Sequence, residues 1–188
     1  MTPPLERPLP RARPRDLAAR AWQALRRDPE SAEDRAWVRS LLRPAEYAIW
    51  TRQPAFDRRH SVRVARRLEA RLAGTAHEGE TRWIAAALLH DVGKAAAGLS
   101  SIPRAAAIVA DRFVDLETAR RWARSKRPWV SRIGLYLTHG EVGARLIRQA
   151  GGRAEIAAWS EVHQGGSPVS VAGIPAEVVA ALLGSDVA

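Results

Sequence analysis

The feature that most constrains this chain is the recurrence of apolar residues at helical spacing, with no stretch of strand-like alternation. "SVRVARRLEARLA" (residues 61–73) puts Val62, Ala65, Leu68 and Leu72 on one face and arginines on the other. "EVGARLIRQAGG" repeats the pattern with Val142, Leu146, Ile147 and Ala150, and its glycines stop the helix. "SAEDRAWVRSLL" opens with Ser31 as an N-cap and with acids in the first turn. Further helices are expected over 15–27, "TRWIAAALLHD", "IPRAAAIVADRF", "DLETARRWARSK", "RAEIAAWSEVH" and "PAEVVAALLGSD". The fold class is therefore all-α. Residues 1–14, with five prolines, read as a flexible tail, residues 15–53 as a helical N-terminal extension, and 54–188 as the domain that carries the chemistry. "GGSPVSVAGIP" (165–175) is the longest interior loop expected.

Apolar residues make up 46% of the 188, enough for a packed core. With no cysteine, disulfides, thiolate metal sites and cysteine nucleophiles are excluded. No apolar run has the ~20 residues of a membrane span, and the start has no signal-like apolar region. A cytoplasmic protein with no membrane partner is expected. The net charge is +10, almost all of it arginine; only Lys94 and Lys126 are lysines. The densest basic piece, "ARRWARSKRPWVSR" (119–132), falls in an expected helical region. Solvated basic faces and an anionic small substrate account for the charge, so nucleic acid is admissible as a partner but not favoured.

"ALLHDVGK" (87–94) ends an apolar helix in two groups that bind metal, His90 and Asp91. Three more histidines are expected at helix boundaries: His60 at a start, His139 at a start, His163 at an end. Asp186 closes the last helix, while His77, in "GTAHEGE", reads as a surface loop residue and Glu161 as solvated. Bundle cores hold metals through side chains on facing helices. Imidazole and carboxylate together suit iron, manganese, nickel or zinc.

"LLHDVGK" resembles the signature of the HD superfamily of metal-dependent phosphohydrolases, close to its HDIG pattern with Val92 for Ile. The order of "RRHSVRVA", "HGEVGARLI", a later His and a final Asp agrees with that family over His60 to Asp186. The resemblance implies an HD-domain helical bundle. Its basic ligands would be His60, His90, Asp91 and Asp186, and His139 and His163 would extend them to a dinuclear set in which Asp91 bridges two divalent transition-metal ions. Lys94 would contact a substrate phosphate, with a metal-activated water as nucleophile, and the substrate would be a phosphorylated small molecule or nucleotide (a phosphomonoester, phosphodiester or dinucleoside polyphosphate). "VHQGGSP" departs from the HD-GYP branch, which has a second histidine where Gln164 stands. The same ligand set also resembles diiron oxygenases of the myo-inositol-oxygenase type. A non-catalytic nucleotide-binding HD domain is the third reading. The sequence leaves the oligomeric state open.

Overall fold

The computed structural model describes residues 30–99, 113–164 and 170–186, together with positions 103, 107 and 110. The tail expected over 1–14, the helix over 15–27, most of the one over 102–113 and residues 165–169 of the expected loop lie outside the described residues.

Among the described residues the regular structure is helical. The helices are α1 (Ala32–Leu41), α2 (Pro44–Thr51), α3 (Ala55–Leu72), α4 (Thr81–Leu89), α5 (Lys94–Ala97), α6 (Leu116–Ala123), α7 (Pro128–Leu137), α8 (His139–Gln149), α9 (Ala154–Val162) and α10 (Ala176–Asp186). The one β-feature is an isolated bridge between Val171 and Ile174. Local chemistry sets the starts. Ser31 accepts from the Asp34 amide at 3.0 Å and Asp115 from the Thr118 amide at 2.9 Å. Pro44 and Pro128 sit in first turns, where no amide hydrogen is needed.

α4 is apolar on every side, and Trp83 through Leu89 are all buried. A helix of that kind belongs at the centre. α3 and α9 pack against it, α10 lies on α3, and α8 pairs with α9. Val38, Leu42, Ile49 and Trp50 from α1, α2 and the residue after α1 enter the same core. Trp50 donates from Nε1 to Ser61 Oγ at 3.0 Å, tying α2 to α3. A smaller cluster of Ala97, Ala107 and Tyr136 lies beneath α5 and α7.

Two local expectations change. α3 begins at Ala55, after Pro54, so His60 lies in its second turn and not at its start. The basic segment 119–132 is two helices. Residues 124–127 break it, because Pro128 cannot continue α6 but can begin α7. α6 and α7 then fold back as a hairpin closed by Ser131 Oγ donating to the Ala123 carbonyl at 2.9 Å. No helix among the described residues is long and apolar enough to cross a membrane.

Candidate metal centre

Four helix ends and the flank of α3 meet at one place. His90 caps the end of α4, and Asp91 follows in the turn to α5, which Lys94 begins. His139 opens α8, His163 caps the end of α9, and Asp186 is the last residue of α10. His60 faces them from α3. Adjacent imidazoles form an arc: His60–His90 centroids are 5.5 Å apart, His90–His163 5.0 Å and His163–His139 5.3 Å. All six side chains named as ligands by resemblance come together, with Lys94 among them.

The chain can close on itself this tightly because of small residues. A Cβ on Gly93 would lie 1.9 Å from the His139 carbonyl oxygen and 2.6 Å from the Gly143 nitrogen. The turn after His90-Asp91 therefore touches the backbone of α8 directly. Ser160, fully buried on α9, donates from Oγ to the His90 carbonyl at 3.0 Å, with the Gly140 carbonyl at 3.4 Å. Gln164 accepts from the Gly140 amide at 3.3 Å and donates to the Leu137 carbonyl at 2.7 Å, holding the end of α9 against the α7–α8 junction. Nothing in the sequence pattern marks Ser160 as a positioning residue, and Gln164 stands out only because a related branch has histidine at its position.

Asp91 is the hub. Its Oδ1 lies 3.1 Å from His139 Nε2 and 3.4 Å from His163 Nε2. Its Oδ2 lies 3.3 Å from His90 Nε2, 3.7 Å from His60 Nε2 and 2.6 Å from Lys94 Nζ. Asp186 Oδ1 adds contacts to His60 Nε2 at 3.1 Å and His90 Nε2 at 3.7 Å. One carboxylate thus turns each oxygen toward a different pair of imidazoles.

The imidazoles are fixed for ligation. His90, His139 and His163 place Nδ1 against the carbonyls of Ala87, Tyr136 and Ser160 at 2.7, 2.7 and 2.8 Å. A carbonyl only accepts, so each Nδ1 carries a hydrogen and Nε2 is the nitrogen that faces the carboxylates. His90, whose pKa is raised, also keeps a proton on that inward nitrogen until a cation replaces it. His90 Nε2 is buried with no hydrogen-bond partner. Ligand bonds of 2.0–2.2 Å at angles of 90–110° would set two ligand atoms about 3.0–3.5 Å apart, close to the N···O separations above. His60, His90 and Asp186, and likewise His90, Asp91 and His163, each offer ligand atoms within 4.8 Å of one another. The buried group is thus compatible with divalent metal binding.

In the metal-free cluster the electrostatics favour a proton at His90, where a cation would lie. Burial disfavours a charge on His90, yet Asp91 and Asp186 outweigh it and lift its pKa to about 9. His139 is lowered to about 4 by burial and the Lys94 charge. Burial also opposes charge on Asp91, but the positive charges of His90 and Lys94 hold its carboxyl well below the usual range. Lys94 is raised despite burial, chiefly by Asp91, with Tyr136 and Asp57 contributing.

The remaining candidates lie elsewhere. Glu161 is exposed and pairs with Arg148. His77 does not fit the expectation of a plain surface residue: its side chain is 14% exposed and it clasps Glu80 at 2.6 Å and Glu177 at 2.9 Å.

A family model described as HD domain matches residues 58–182. No curated protein and no solved structure matches the chain.

Proposed function

The chain belongs to the HD-domain family, and from that premise we propose that it is a phosphohydrolase acting on a phosphate ester or nucleotide. HD-domain proteins are generally metal-dependent phosphohydrolases. The observation that carries the reading is the division of Asp91, with Oδ1 toward His139 and His163 and Oδ2 toward His60 and His90. In this reading His60, His90 and Asp186 hold one divalent transition-metal ion, iron, manganese, nickel or zinc. His139 and His163 hold the second, with Asp91 shared. Ions held there supply Lewis acidity to a phosphate oxygen and an activated water.

The chain's own residues do the rest. The three Nδ1–H···O=C bonds orient the imidazoles before any ligand arrives, so little reorganisation accompanies the reaction. Lys94, kept charged by Asp91, stands at the edge of the cluster and offsets negative charge on the phosphoryl oxygens as it builds. Burial of His90, Asp91 and His139 excludes bulk water, which strengthens each of these interactions.

The test is metal analysis of the purified protein, with hydrolysis of phosphomonoesters, phosphodiesters and dinucleoside polyphosphates assayed before and after chelation. Loss on chelation, recovery on metal return and a silent His90→Ala variant are expected. Undiminished hydrolysis in His90→Ala, or oxygen consumption with a diol or phosphonate in place of hydrolysis, would overturn the reading.

A further inference from the structure

α7 joins the outer surface to the centre. Trp129, Arg132 and Tyr136 stand at i, i+3 and i+7, one stripe along the helix. Exposure falls along it: Trp129 is 64% exposed, Arg132 is exposed, and Tyr136 is buried. At the inner end the Tyr136 ring lies 5.9 Å from Lys94 Nζ and 5.8 Å from the His139 ring. At the outer end Arg124, Lys126 and Arg127 are all exposed. The Arg132 guanidinium lies over Gly98, which ends the helix that Lys94 begins.

No Asp or Glu occurs between Glu117 and Glu141. Among the described residues Arg124, Lys126, Arg127 and Arg132 have no carboxylate partner. By contrast, Arg120, one turn before Arg124, is neutralised by Glu141. Four cations without carboxylate partners, in a segment that also exposes an indole, are complementary to a polyanion. The indole narrows the choice, because an exposed tryptophan in a basic segment can stack nucleobases of any sequence, and single strands leave those bases free. A lipid surface fits less well. Membrane-lying segments bury a contiguous apolar face. The other exposed large apolar residues, Leu116 and Phe113, lie at and before the start of α6, roughly 10 Å or more from the hairpin turn, and so form no continuous face with Trp129.

We propose that the α6–α7 hairpin is a docking edge for single-stranded nucleic acid. A base stacks on Trp129, and phosphates lie against Arg124, Lys126, Arg127 and Arg132. The docking does not rest on the hydrolase reading.

The experiment is fluorescence anisotropy of a labelled single-stranded oligonucleotide of about 12 residues with the full chain in chelator, so that nothing turns over. Binding should weaken with salt at a log–log slope of about −3, for four phosphate contacts. Trp129→Ala should weaken it about 10-fold. Replacing Arg124, Lys126 and Arg127 together by serine should flatten the slope by about 2. All four side chains are exposed, and circular dichroism checks that the variants fold. Unchanged affinity in Trp129→Ala, an unchanged slope in the triple variant, or preferential binding to phosphatidylserine vesicles would overturn the proposal. Binding in chelator is read without turnover, and small-ester hydrolysis is read without the oligonucleotide, so either reading can fail alone.

Discussion

His77 and His90 each lie between two carboxylates, in opposite arrangements. His77 gives one nitrogen to Glu80 and the other to Glu177. Carboxylates only accept, so both nitrogens must carry hydrogen and the ring is a closed, charged clasp between the α3–α4 loop and the start of α10. His90 gives Nδ1 to a backbone carbonyl and turns Nε2 alone toward Asp91 and Asp186, where it finds no hydrogen bond. Closeness to acid is common to both; an inward nitrogen left unsatisfied distinguishes the second. Nδ1 is spent on the Ala87 carbonyl, so the nitrogen facing the two carboxylates is the one a cation would take.

The largest effect that would test this contrast is on Asp91. Asp91→Ala should lower hydrolysis by more than about 100-fold, the upper end of what outer-shell partners of a metal cost, and bound metal should fall with it. Glu80→Ala, which opens the clasp at His77, should leave bound metal unchanged in the same elemental analysis.

Next comes the packing that brings the centre together. Gly93→Ala places a methyl 1.9 Å from the His139 carbonyl. It should destabilise by about 3 kcal/mol, a fall in Tm of roughly 6–12 °C for a chain this long, measurable by calorimetry. Ser160→Ala deletes the buried hydrogen bond to the His90 carbonyl and should weaken metal affinity about 10-fold in a competitive chelator titration. Equal metal affinity in Ser160→Ala would show that the turn after α4 needs no such support.

The pH dependence separates the two histidines again. In metal-free protein His90, with its pKa lifted to about 9, holds a proton where the cation would lie. Metal must displace it, so affinity measured by calorimetry should rise with pH from 7 toward 9, with proton release. His139, lowered to about 4, is already neutral there and adds no proton. The smallest effect is at His77, whose pKa is raised chiefly by hydrogen bonds to Glu80 and Glu177. A raised histidine contributes its stability fully below the ordinary histidine pKa and loses it as pH rises through the folded value. By NMR its titration midpoint should lie above that of a free histidine, and Glu177→Gln should bring it down.

The helices of α1, α3, α4, α8, α9 and α10 were legible because each carries a one-sided or wholly apolar pattern at a single period. The ligand histidines were legible through the resemblance carried by "LLHDVGK"; the helix-boundary reading holds for His90, His139 and His163 and not for His60, which lies in the second turn of α3. What the sequence hid depends on chain crossings. Gly93 reads as a turn residue, and only contact between α5 and α8 reveals that a side chain cannot fit there. Ser160 on α9 and Gln164 just beyond its end look like ordinary residues until Gly140 and Leu137 are seen beneath them. The partner of His77 lies 100 residues away at Glu177. The break between α6 and α7 was signalled by Pro128, but the run of basic residues masked it.

The central claim is that six side chains hold two cations with Asp91 between them. Anomalous diffraction from crystals grown with the metal that co-purifies tests it most directly. Two peaks are expected, one bounded by His60, His90 and Asp186 and one by His139 and His163, each adjoining a different oxygen of Asp91. A single peak, a peak at His77 and its glutamates, or no peak beside Asp91 would contradict the account.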